Sequence, residues 1–104
     1  MSEDCIFCKI ANGEIATELV YQTPNTVVFK DANPKAPVHL LVVPKKHYAT
    51  LNDVDDKELL GELMQTIQQV TKKIGLKSYK VHINTGKDAG QVVFHLHIHI
   101  LGNK

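Results

Sequence analysis

The hydrophobic positions of the 104-residue chain change their spacing several times, and each spacing predicts a different element. Leu59, Leu60, Leu63, Met64, Ile67, Val70 and Ile74 recur every three or four positions. That period lays an apolar stripe along one side of an α-helix. Asp55 followed by Glu58 reads as a capping box at its start, and Gly75 suits its C-terminal cap. At 1.5 Å per residue the helix should be roughly 30 Å long. "VHLLVV" (38–43) is an almost unbroken apolar run stopped by Pro44, the mark of a strand covered on both faces. "ELVYQ" and "TVVFKD" flank "TPN", a turn sequence, and predict a hairpin. "YKVHIN" (79–84) alternates, with Tyr79, Val81 and Ile83 on one face and Lys80, His82 and Asn84 on the other. "VVFHLHIHIL" (92–101) predicts the last strand, and "DCIFCKIANGEI" one or two helical turns with Asp4 as N-cap and Gly13 as stop. "ANPKAP" and "TGKDAGQ" are loops. The class is α+β, with strands paired mostly antiparallel because the hairpin connections are short.

Length and the absence of repeats or linkers predict one domain spanning 1–104. A formal net charge of +1 argues against a nucleic-acid or anionic-membrane partner, either of which calls for a basic face. No stretch reaches the ~18 apolar residues a membrane span needs. "MSEDCIFCKI" lacks the apolar centre of a signal peptide, so a cytoplasmic location is expected. Cys5 and Cys8 are too close to close a useful disulfide loop, and "CIFC" has the spacing of half a zinc site.

The densest chemistry lies in "HLHIHIL", residues 95–101. On a strand, His95, His97 and His99 share one face, while Leu96, Ile98 and Ile100 enter the core. Same-face neighbours stand roughly 6.7 Å apart, so the outer pair would be about 13 Å apart. A tetrahedral ion with imidazole bonds of about 2.0 Å accepts two adjacent histidines but not three in a row. The row should therefore have mixed roles. Imidazole is a nucleophile and a proton carrier near neutral pH, which suits attack on phosphorus beside a second histidine that steadies the oxygens.

"HLHIHIL" resembles the His-φ-His-φ-His-φ-φ motif of the histidine triad (HIT) superfamily. "IFCKIANGEI", "VVFKDANPKAPVHLLVVPKKH", "LLGELM" and "INTGKDAGQVVFHLHIHILG" resemble successive blocks of its Hint branch, the purine nucleoside phosphoramidases. The resemblance implies a HIT-like fold: a five-stranded, mostly antiparallel sheet with one long and one short helix, continued across a homodimer. It implies His97 as the nucleophile that takes up the nucleotidyl group, with the carbonyl of His95 holding its Nδ1–H. His99 would hold the phosphate and assist proton transfer, and His39 would be the fourth active-site histidine. Asp31 would grip the ribose of a purine nucleotide, AMP or GMP. Phe7, Ile10, Ile15, Phe29 and Ala32 would line the base pocket. Asn84 with Gly90, Gln91 and Val92 would cradle sugar and phosphate. Bacterial-type members bind zinc through such a cysteine pair, which here implies a closed structural site of Cys5, Cys8, His47 and His95 and no catalytic metal.

Two departures stand out. Val92 replaces the usual serine after the glutamine, which removes a hydroxyl near the leaving group, and the chain reaches Lys104 without the C-terminal tail of longer members. Dinucleoside polyphosphate hydrolysis and non-catalytic nucleotide binding are the rival readings. His82 is read as a surface residue.

Overall fold

The protein is described from a computed structural model covering residues 5–103, so the expected Asp4 cap lies outside the described residues. The elements in chain order are α1 (Ile6–Ala11), β1 (Leu19–Gln22), β2 (Thr26–Lys30), β3 (Val38–Pro44), α2 (Lys57–Ile74), β4 (Tyr79–His82) and β5 (Ile98–Gly102). The five strands form one sheet in the order β1-β2-β3-β5-β4, with every neighbouring pair antiparallel.

One face of this sheet carries Val28, Leu40, Val42, Ile98 and Ile100, all buried against Leu59, Leu63, Ile67 and Val70 of α2. Removing each such side chain from water contributes about 1.5–3 kcal/mol, so the apolar stripe is what docks the helix. Met64, predicted in that stripe, is instead 47% exposed on the outer side. The N-cap is Asp56 rather than Asp55: its Oδ1 accepts the N–H groups of Glu58 and Leu59 at 3.0 and 3.2 Å. Gly75 closes the helix in the left-handed region at φ +73°, a conformation that costs other residues steric strain.

The opposite face carries Val27, Phe29, Leu41 and Val43, packed against Phe7 of α1. Because both faces are covered, β3 is buried from His39 to Pro44, as its unbroken apolar run predicts. With only six residues, α1 shields half of its face; the half over β5 and β4 is left to polar side chains.

The last strand is shorter than predicted. Ladder pairing with β3 begins at Ile98, opposite Val42, and residues 92–97 form irregular chain. Their hydrogen bonds go to the loop after β3 instead: Leu96 N–H donates to Tyr48 O at 2.7 Å and the Gln91 amide to Ala49 O at 2.7 Å. Alternation survives this, since Leu96, Ile98 and Ile100 still enter the core under α2. β4 also stops early, at His82, and is exposed along its whole length as an edge strand. Among the described residues, no helix is long and apolar enough to cross a membrane.

Candidate active site and metal centre

Register builds the site on the half of the sheet that α1 leaves uncovered. Leu41 of β3 lies opposite His99 of β5, which lies opposite His82 of β4; His39, two residues before Leu41, shares its face. His97 precedes the strand and is buried beneath Phe7, whose ring meets it edge-on with centroids 5.0 Å apart. His97 and His99 rings lie 5.0 Å apart.

The hydrogen bonds assign the tautomers. A carbonyl only accepts, so the 2.8 Å contact from His97 Nδ1 to His95 O places the proton on Nδ1 and leaves the Nε2 lone pair free. On His39, Nδ1 accepts the Lys35 backbone N–H at 2.9 Å, so Nε2 bears the hydrogen. That Nε2–H donates to His99 Nδ1 at 2.9 Å and lies 3.3 Å from Asp31 Oδ2. His99 is then protonated at Nε2. Two neighbouring rings thus present a lone pair and an N–H. Burial first, then the nearby His97, His82 and His39, hold the His99 imidazole down at about 4, against the pull of Asp31. His39 is also lowered, again chiefly by burial, with Asp31 opposing. Both therefore stay neutral near pH 7.

Asp31, His39 and His99 converge closely enough to resemble a metal site, but the Lys35 N–H excludes that use. A ligand nitrogen needs a lone pair, and His39 Nε2 has given its own to a proton.

The second cluster behaves differently. Cys5 Sγ, Cys8 Sγ and His47 Nδ1 each lie 3.2 Å from His95 Nδ1, and Cys8 Sγ lies 3.2 Å from His47 Nδ1. His95 Nε2–H donates to Pro44 O at 2.8 Å, which turns the Nδ1 lone pair toward the sulfurs. One lone pair takes one hydrogen bond, yet three atoms crowd it. Tetrahedral zinc at about 2.0–2.3 Å from each ligand spaces such atoms by roughly 3.3–3.6 Å, close to what is found. Burial and then Cys5 push the Cys8 thiol up to about 11, and burial pushes His95 down to about 4. A cation among them would reverse the thiol shift by stabilising thiolate. These four residues fit zinc.

A cleft of about 580 Å³ runs from α1 to the histidine pair. Most of the residues expected around a nucleotide line it: Phe7, Ile10, Phe29, Asp31, Ala32, Asn84, Gly90, Val92, His97 and His99, with the Phe7 ring directly against His97. Ile15 and Gln91 do not. Gln91 is buried and its amide is fully engaged, donating to Ala49 O in the loop after β3 and to Val93 O, and accepting the Gly86 N–H at 2.8 Å. Ile15 sits past the turn at Gly13, where its N–H returns to Lys9 O at 3.2 Å. Lys35 and the half-buried Val93 also line the cleft, and neither a lysine in a proline-flanked loop nor a single valine in irregular chain carries a local sequence signal for that place. His82 was read as surface and is exposed, yet its ring stacks on His99 at 4.4 Å between centroids and 28° between planes.

The HIT domain family model matches residues 12–104. Protein HitA from Neisseria gonorrhoeae is 48% identical over 103 residues, covering 96% of each sequence. A histidine triad protein from Clostridium difficile superposes with a TM-score of 0.92 at 48% identity, covering 97% of this chain and 91% of that one. A histidine triad nucleotide-binding protein from Candida albicans gives a TM-score of 0.86 at 34% identity over 93% and 73% of the two chains. A zinc-bound histidine triad family protein from Mycobacterium smegmatis gives 0.83 at 30% identity over 100% and 78%.

Proposed function

Since the chain belongs to the HIT domain family, we propose that it is a hydrolase cleaving the P–N bond of purine nucleoside 5′-phosphoramidates through a nucleotidyl-histidine at His97. The observation that carries this reading is the free Nε2 lone pair of His97, fixed by the 2.8 Å bond from Nδ1 to His95 O, beside the N–H of His99. The purine would lie against Phe7, Ile10 and Phe29, and the ribose hydroxyls would donate to Asp31, an acceptor-only group. That seats the α-phosphate at the histidine end. Nε2 of His97 attacks phosphorus, the P–N bond breaks as the new one forms, and the amine departs with a proton drawn from solvent, which is given back when water cleaves the nucleotidyl-histidine. His99 holds a phosphate oxygen through Nε2–H and assists that transfer. Water then cleaves the nucleotidyl-histidine, returning AMP or GMP and free His97. Val92, 86% exposed at the rim, supplies a backbone N–H but no hydroxyl to the leaving amine.

Within the same reading, Cys5, Cys8, His47 and His95 hold a structural zinc ion. Bound there, the ion supplies a four-way crosslink with no open position for substrate. The exposed edge of β4, with Tyr79 and Val81, and Met64 on α2 form the homodimer contact. In this reading residues 1–104 form one domain, and the enzyme works in the cytoplasm.

The test is AMP release from adenosine 5′-phosphoramidate, with His97→Ala at equal concentration. Loss of roughly 10³-fold or more with AMP affinity retained supports the reading. An inert but AMP-binding wild type overturns it in favour of a binding module. Metal analysis after chelator-free purification should find about one zinc per chain, and well under one sinks the metal assignment.

A further inference from the structure

We infer that His82 is a positioning residue for His99: stacked on it from the neighbouring strand, it sets the plane in which the His99 Nε2–H meets the phosphate. The inference deepens the proposed function and rests on its assignment of the phosphate to His99.

The terminal torsion of a histidine is broad, so the ring swings unless something outside it holds the plane. The bond from His39 Nε2 to His99 Nδ1 pins one ring atom at 2.9 Å. A ring held at one atom still rocks about it. His97 meets the ring at 65°, and His39 at 49°, so neither lies flat on a face. His82 does, at 28° and 4.4 Å. The cause is register: His82 is directly opposite His99 in the β4–β5 ladder, where facing side chains stand about 4.5–5.5 Å apart at Cβ. An exposed edge-strand side chain is free to turn into water, and this one lies on its partner instead. A flat ring is what the contact uses, so phenylalanine should serve and a small side chain should not. His97, His82, His39 and Asp31 are the titratable groups acting on His99.

The experiment compares the full-length wild type with His82→Ala and His82→Phe. Three quantities are read: kcat and KM on adenosine 5′-phosphoramidate, AMP affinity by calorimetry, and the His99 ring signals in ¹H–¹⁵N spectra, assigned by their loss in His99→Gln. Expected for alanine is a fall of about tenfold in kcat, with KM and AMP affinity within about twofold and the His99 Nε2–H signal broadened. Phenylalanine should restore both kcat and the sharp signal. Wild-type kcat and an unchanged His99 signal in His82→Ala overturn the inference. So does a phenylalanine variant as impaired as the alanine one, which would point to the imidazole nitrogens. Should the alanine variant fail to fold, His82→Leu, apolar but not flat, replaces it with the same expectation. If the wild type binds AMP without turning over phosphoramidate, the proposed function falls while the spectra alone decide the role of His82.

Discussion

His95 and His99 stand four residues apart, and both imidazoles are held at about 4, chiefly by burial. They differ in where their lone pairs point. His95 gives its Nε2–H to the Pro44 carbonyl and turns Nδ1 toward two sulfurs and His47. His99 receives a hydrogen at Nδ1 from His39 and presents Nε2–H to the cleft. Basicity therefore does not separate the candidate metal cluster from the cleft here; the partner of the second nitrogen does.

The largest effect that would sharpen this contrast is on the metal side. Cys8→Ser removes one of the four residues proposed to hold zinc, a buried thiol, and on that proposal the variant should melt well below wild type, on the order of 10 °C lower in the presence of zinc. A chelator should lower the wild type toward the variant and leave the variant unmoved. A chelator-indifferent wild type would break the comparison.

Next is His39→Phe, which deprives His99 Nδ1 of its donor and frees the tautomer. We expect kcat to fall by about 10²-fold while the melting temperature of the zinc-loaded protein stays within a few degrees. A smaller fall confined to KM would mean His99 keeps its tautomer unaided.

The pH dependence has a definite sign. His95 and His99 are neutral in the folded, metal-free chain down to about 4, whereas unfolded histidines take up protons below about 6.5. Between those values the unfolded state binds more protons, so stability rises with pH. The contribution is complete above about pH 6.5 and is lost as pH falls toward about 4. Melting of the chelated protein should be flat with respect to these groups above 6.5 and decline below it. In His99→Asn the decline should be shallower, because one of the two groups is gone. The smallest effect is expected at Val92→Ser, exposed at the cleft rim: a few-fold change in turnover that depends on the leaving amine, with no change in melting.

What could be read in advance follows from how local the cause is. The α2 stripe is legible because helical period and burial coincide, and β3 because both of its faces are covered. The cap fell to Asp56 instead of Asp55 because two adjacent aspartates look alike in sequence and only geometry chooses. The extent of β5 was misjudged because alternation records which side a residue faces, not whether a neighbour is hydrogen-bonded to it. Leu96, Ile98 and Ile100 all face the core under α2 although the first of them lies in irregular chain. His82 was passed over for a related reason: its partner lies 17 positions away, and register between β4 and β5 is not written in either strand alone. The engagement of Gln91 depends on Ala49, 42 positions away in sequence.

The short helix α1 has a consequence in time. The helix and its N-cap carry Phe7, a wall of the cleft, together with Cys5 and Cys8, whose contacts with His95 span 90 and 87 positions. Six residues are too few to hold a helix in water unaided, and closing so long a loop costs chain entropy before any contact repays it. The contacts that hold α1 therefore form only once the segment bearing His95 has been brought to it. The same long-range contacts bring Phe7 onto His97, so the cleft wall and the cysteine–histidine cluster form together or not at all.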